Sequence, residues 1–197
     1  TWCFHEADVA PELAGLVEEL TVKSWSGYDV AFERLTRRLA SRYSAVTSDR
    51  FAEVVEARFR EHPSSQLIVD ARARRIGAHE VGLEDGRTFR GRMVVDARGP
   101  EQFATEGAVA YQKFLGLELA LDAPHSIELP TLMDAKVPQV DGFRFFYSLP
   151  LDERRVLVED TYYSDRPELS RARLRAEVLA YAKARGLRVR AIAREEV

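Results

Sequence analysis

The chain has 197 residues, 46% hydrophobic and 31% charged, enough to bury a core in one large domain or two small ones. Its 29 basic and 32 acidic side chains leave a net charge of -3 and are interleaved along the chain, so no block of like charge offers nucleic acid a footprint. The single cysteine, Cys3, excludes an internal disulfide and gives no support for a cysteine-built metal site, which fits a reducing, cytoplasmic setting; no apolar run approaches the roughly 18 residues needed to span a bilayer.

From the N-terminus, Leu13, Leu16, Val17 and Leu20 recur at helical spacing behind Pro11, which predicts a short amphipathic helix over 11–20. Residues 22–32 change to Val, Trp, Tyr and Phe around Ser26-Gly27, the pattern of two strands and a turn. A second helix is expected over 48–62, capped by Thr47 or Ser48, with Phe51, Val54, Val55 and Phe59 on a face that should pack on a sheet, and stopped by Pro63. Gln66 to Val69 reads as a strand. Residues 71–99 then read as a meander through Ile76, Val81 and Leu83, the Glu84-Asp85-Gly86 turn, Phe89 and Met93-Val94-Val95. The last of these runs, continuously apolar and followed at once by a turn, is expected to be a buried strand of parallel type.

After a boundary near residues 100–108 the pattern becomes antiparallel. Strands are expected at 110–121, 131–135, 143–150 and 155–163. One long helix follows, with Ser170 as cap and Leu169 and Leu174 as a hydrophobic staple; it turns Leu174, Val178, Tyr181 and Ala182 inward and ends at Gly186. The opening Thr and the strand-like run into Val197 give both ends the look of cuts in a longer polypeptide.

Two places carry candidate chemistry. An Asp ending a buried strand beside a Gly, as in VVDARGP (94–100), can hold a ribityl or phosphate group, although an Asx turn alone explains those seven residues. The adjacent acids Glu159 and Asp160 follow an apolar run whose burial would favour the protonated form, while an ion pair with Arg154 or Arg155 is the bland alternative. Phe143, Phe145, Phe146, Tyr147, Tyr162 and Tyr163 suit a core or an apolar tunnel equally, and alternation sends only some of them to any one face. Met133-Asp134 either ends a strand, the reading slightly favoured, or stands near a cofactor. His5, His62, His79 and His125 have no metal-ligand spacing.

The capped helix with Arg50 in its first turn, the meander and VVDARGP together resemble the late part of the flavin-binding domain of hydroxylase-like FAD proteins. The G-x-G-x-x-G turn that opens that domain is not in this sequence. SGYDVAF (26–32), YQKFLGLEL (111–119), LMDA (132–135), FRFFYSLP (143–150) and LVEDTYYSD (157–165) resemble, in order and approximate spacing, the bacterial lycopene β-cyclases, over nearly the whole chain. LVEDT is similar to that family's acidic F-L-E-E-T motif, with Glu159 matching the first acid and Asp160 the second. Leu157 and Val158 depart from the motif, and Asp160 is one methylene short.

The resemblance implies an α/β (α+β) fold: an incomplete FAD-binding, Rossmann-like domain of the hydroxylase type in residues 1–105, and a substrate-binding unit with an antiparallel sheet and one helix in 106–197. It implies Glu159 and Asp160 as catalytic residues, Arg50, Asp96 and Gly99 as cofactor-binding residues, and no metal. The cofactor would be reduced FAD, with NAD(P)H as reductant. The substrate would be lycopene or a related acyclic carotenoid, met at the membrane surface by a cytoplasmic, peripherally associated enzyme. The reaction would be an isomerisation of ψ-ends to β-rings without net redox change. Lacking the remaining N- and C-terminal segments, this stretch alone should bind FAD poorly and cyclise little. A flavin monooxygenase or isoprenoid reductase on the same framework, and a non-catalytic carotenoid-binding module, remain open alternatives.

Overall fold

The structure is a computed structural model that describes residues 1–98 and 110–197. Along the chain it forms β1 (Trp2–His5), a 3-10 turn at Pro11–Leu13 leading into α1 (Ala14–Leu20), then β2 (Lys23–Trp25), β3 (Tyr28–Phe32), β4 (Leu35–Leu39), β5 (Tyr43–Val46) and α2 (Ser48–Glu61). There follow β6 (Ala73–Ile76), β7 (Glu80–Leu83), β8 (Thr88–Arg90), β9 (Tyr111–Leu121), β10 (Thr131–Asp134), β11 (Phe143–Asp152), β12 (Arg155–Ser164), α3 (Arg171–Ala184) and β13 (Val189–Glu196). Contacts divide these into two units, residues 1–54 with 108–197 and residues 55–107. The result is a mixed α/β fold dominated by sheets.

The first unit is built on a seven-stranded sheet in the order β13-β9-β12-β11-β10-β3-β4. The long hairpin β11–β12 and its neighbour β9 form its centre, in unbroken antiparallel register from Ser164↔Tyr111 to Arg155↔Ala120. The one departure from the expected antiparallel pattern is β10, which pairs with β3 in parallel. Residues 28–39 therefore share a sheet with residues 111–196, and the division lies elsewhere than a single boundary near 105: the second half of the chain cannot complete its sheet without strands from the first.

Each face of this sheet has its own core. On one face Leu115, Leu117, Leu119, Val156 and Val158 meet Leu174, Val178 and Ala182 of α3. The inward face of α3 thus follows the predicted period, with Tyr181 stacked on Phe146 at 4.1 Å. Ser170 stands at the start of α3 in extended conformation but makes no side-chain capping bond, while Gly186 at φ +76° ends the helix as expected. On the other face Leu149 and Leu157 pack with Trp25, Tyr43 and Ala45. These last come from a small sheet ordered β1-β5-β2, of which β1 and β5 had no clear alternation to reveal them.

The second unit contains the expected meander β6-β7-β8, with Gly86 at φ +89° in its turn. Two expected strands are not formed. Residues 66–69 and 93–97 run without a ladder; Met93 and Val95 are each 74% exposed, and Val94 donates a backbone bond to the Ala78 carbonyl at 3.0 Å. In α2, Val54 is buried but Phe51 is exposed and leans on Trp2 at 5.5 Å, so the expected apolar face is only partly used.

Entry into β11 depends on Gly142. Its φ is +98°, and a Cβ there would run into the carbonyl oxygen of Tyr163. Gly142→Ala should therefore destabilise the protein by more than about 2 kcal/mol, since both backbone strain and a steric clash oppose it. Chemical denaturation would show this as a lowered midpoint.

Candidate functional site

Strand β12 carries both acids, and alternation separates them. Glu159 pairs in register with Tyr147 and Gly116, and Asp160 with Phe146 and Leu115, so the two carboxylates point to opposite faces of the sheet.

Asp160 turns toward α3 and is completely buried. Its two oxygens accept bonds from Arg144 Nε at 2.8 Å and Nη2 at 2.9 Å, and Tyr162 donates a third at 3.1 Å. Arg144 is 3% exposed, lies 5.1 Å over the Phe146 ring and also donates to Glu177. Burial pushes the Asp160 carboxyl up while the bonds from Arg144 and Tyr162 pull it back. Burial likewise works against the Arg144 charge, yet its bonds to Asp160 and Glu177 hold it above its ordinary value. Asp160 is therefore fully buried in an ion pair with Arg144, on the face opposite Glu159. The expected ion-pair partners were different: Arg154 donates to the Asp122 carbonyl, and Arg155 binds Asp152 and Glu118.

Glu159 faces the small sheet. It is half-buried beside the Leu149–Leu157 core, and Thr161 Oγ1 donates to its Oε1 at 2.8 Å. Burial pushes its carboxyl up from the ordinary value, the Thr161 hydrogen bond lowers it, and the nearby Glu196 charge raises it again. Across from it, the hydroxyls of Tyr147 and Tyr43 lie 3.0 Å apart, with the Cys3 thiol in hydrogen-bonding range of both. Burial raises both phenols and the thiol.

The same face carries an aromatic track. Along β11 and β12 the paired positions are Phe143 with Tyr163, Phe145 with Thr161, then Tyr147 with Glu159. Phe143, Phe145 and Tyr163 form a cluster with ring centres 5.7–6.4 Å apart, exposed at Phe143 and Tyr163 and buried at Phe145. Of the six aromatics singled out in the sequence, Phe146 and Tyr162 belong to the opposite, helix-covered face. A hollow of about 1020 Å³ also lies on that side, lined by Lys113, Tyr162, Ser164 and Arg173 among others. Glu159 does not line it.

The residues expected at a cofactor are placed separately. Arg50 lies in the first turn of α2, whose start Thr47 caps through its hydroxyl. Its Nε donates to the Glu19 carbonyl at 2.9 Å and Nη1 meets Glu53 at 3.4 Å, with the side chain 40% exposed. Asp96 is exposed and bound by Arg98 through Nε, Nη2 and backbone N–H, which hold its carboxyl down at about 2. Gly99 lies outside the described residues. Asp134 ends β10 as read, accepting from Tyr181 at 2.8 Å and from the Lys136 N–H.

Glu159 is thus a half-buried carboxylate at the end of an aromatic track, on one face of a large, mostly antiparallel sheet. The model of the family described as lycopene cyclase protein matches residues 1–197. The chain is 37% identical over 198 residues to a lycopene beta-cyclase of Pantoea ananas and 36% identical over 196 residues to that of Pseudescherichia vulneris, in each case covering 100% of this chain and 50% of the relative. It thus spans about half the length of the curated relatives it matches. Among solved structures, a peptidyl tryptophan dihydroxylase essential for tryptophylquinone cofactor biogenesis superposes on 100% of this chain and 46% of its own, with a TM-score of 0.57 and 15% identity, a likeness of fold alone. The chain belongs to the lycopene cyclase family.

The two acids should respond oppositely to neutralisation. Asp160→Asn leaves Arg144 buried and without its bidentate partner and should cost about 3–5 kcal/mol, whereas Glu159→Gln should leave stability at neutral pH unchanged or raise it. Because the folded-state value of Glu159 is raised, its stabilising contribution is complete below its unfolded value and is lost as pH rises through the folded one. The denaturation midpoint of the parent relative to Glu159→Gln should accordingly fall as pH increases from about 4.5 toward neutrality.

Proposed function

We propose that this chain forms the carotenoid-facing part of a lycopene β-cyclase, with Glu159 as the residue that exchanges a proton with the polyene end. The observation that supports this most is the shared face of Glu159, Tyr147, Phe145, Phe143 and Tyr163. Lycopene is a hydrocarbon without a polar handle, so ring closure begins with a proton added to a terminal double bond and passes through a tertiary carbocation. Loss of a proton from carbon completes the β-ring, and the product is an isomer of the substrate.

Burial pushes the Glu159 carboxyl up from its ordinary value, the direction that proton donation to an alkene requires. Aromatic π-faces beside it stabilise the cation without offering a nucleophile, and their apolar surface excludes the water that would trap it. Phe143 and Tyr163, exposed at the end of the track, offer a first contact for a polyene arriving from a lipid phase. No helix among the described residues is long and apolar enough to cross a membrane, and we assign the protein to the membrane surface, where its substrate dissolves.

The flavin site is the second part of the proposal. Arg50, an exposed cation at a helix start, has the chemistry to meet a phosphate, and Asp96 with Gly99 the chemistry to meet a ribityl or phosphate group. A reduced flavin, when bound by the whole enzyme, would supply negative charge or a proton without net electron transfer, with NAD(P)H as the source of reducing equivalents. Asp160 serves the same function indirectly by fixing β11 against β12 through Arg144.

In the intact enzyme supplied with reduced FAD and lycopene in lipid vesicles, Glu159→Gln should lower β-ring formation by at least about a hundredfold, measured by chromatography of the pigments. An active Glu159→Gln enzyme would overturn the assignment of the proton donor. Stoichiometric consumption of NAD(P)H during turnover would favour a monooxygenase or reductase instead.

A further inference from the structure

Four neighbouring strands bring Glu196 of β13, Gly116 of β9, Glu159 of β12 and Tyr147 of β11 into one row across the sheet. Gly116 separates the two glutamates. A Cβ at Gly116 would lie 3.6 Å from both Cγ and Oε2 of Glu159, so the Glu159 side chain leans over the glycine toward β13. Its other oxygen, Oε1, accepts the Thr161 hydroxyl at 2.8 Å. The carboxyl is thus fixed on one side by a donor from its own strand, and faces a second carboxylate on the other.

Glu196 belongs to this face: Glu195 reaches Arg175 of α3 at 2.7 Å on the opposite side, while Glu196 binds the Thr1 nitrogen and hydroxyl at 2.9 Å. The groups that face Glu159 are Thr161 on its own strand, Tyr147 from β11, Tyr43 from β5, Cys3 from β1 and Glu196 from β13. Arg194 lies 3.7 Å from Glu196 and 3.5 Å from Asp49.

We propose that Thr161 and Glu196 are positioning residues for Glu159: the hydroxyl of Thr161 aims its carboxyl, and the negative charge of Glu196, across the gap left by Gly116, keeps the proton on it. This rests on Glu159 as the proton donor. A hydrogen bond to the ionised form favours ionisation and a like charge opposes it, so the two residues act on Glu159 with opposite sign. Gly116 leaves open the space over which the Glu159 side chain leans toward β13.

The test is the pH dependence of kcat in the intact, flavin-loaded enzyme. Activity needs protonated Glu159 and falls as pH rises through its titration. Thr161→Val should move that alkaline limb to higher pH and lower kcat by about tenfold through lost orientation, with KM unchanged, and Thr161→Ser should restore both. Glu196→Gln should move the limb to lower pH, and Glu195→Gln should leave it in place. Glu196 lies on an edge strand, and its conservative replacement decides the matter independently of any folding defect in Thr161→Val.

Limbs that stay put, or that move in the same direction in both variants, would overturn the proposal. Glu159→Gln separates the two levels. If that variant still cyclises, the proton-donor reading itself fails; if it is inactive while Thr161→Val and Glu196→Gln both match the parent profile, only the positioning proposal fails.

Discussion

A strand presents alternate side chains to its two faces, and on β12 that constraint divides two adjacent carboxylates between unlike surroundings. Asp160 enters a core of leucine and valine under α3, where an isolated negative charge is costly, and the site is tenable because Arg144 supplies a bidentate partner from the paired strand. Glu159 emerges on the face where the partner is a neutral hydroxyl and the cross-strand neighbour a tyrosine. Asp160 is fixed in an ion pair, whereas the Glu159 carboxyl is pushed up from its ordinary value by burial. The same alternation selects which aromatics of β11 and β12 accompany Glu159: of the six, Phe143, Phe145, Tyr147 and Tyr163 share its side.

Both halves of this arrangement depend on the hairpin β11–β12 holding its register. The Arg144–Asp160 pair spans the two strands, Tyr181 of α3 stacks on Phe146 and reaches Asp134 of β10, and Gly142 permits the tight entry into β11. A slip by one residue would exchange the faces and place Glu159 under the helix. The buried ion pair therefore specifies register, which is the way an interaction of little net stability contributes to a function on the other side of the sheet.

The second half of the chain was legible because its strands are long and its helix has a clear 3.6-residue period; β9 to β12 and α3 stand where the pattern puts them. Strands β1, β4 and β5 were not, being four or five residues long and, in the case of Tyr43-Ser44-Ala45-Val46, buried on both sides so that no alternation shows. Met93-Val94-Val95 read as a buried strand because apolar runs usually are, yet local composition cannot say whether a pairing strand is at hand. Glu159 was found through the motif around it. Its surroundings beyond β12, Gly116, Tyr43 and Glu196, were not, because they converge from three other strands that are far apart in sequence. A reader of β12 alone, however, could have placed Glu159 and Asp160 on opposite faces from the strand period.

The parallel pairing of β3 with β10 joins residues about a hundred positions apart, and the unit formed by residues 55–107 is spliced between them. Such an insertion sets an order of events on the ribosome. The inserted meander rests on neighbouring hairpins and can assemble as soon as it emerges, while β3 and β4 must wait for β10 and the hairpin beyond it. Until then the apolar side of the early segment has no cover. Synthesis past residue 164 is the point at which that exposure ends, so pauses in translation before it would be expected to favour capture by chaperones or aggregation more than pauses after it.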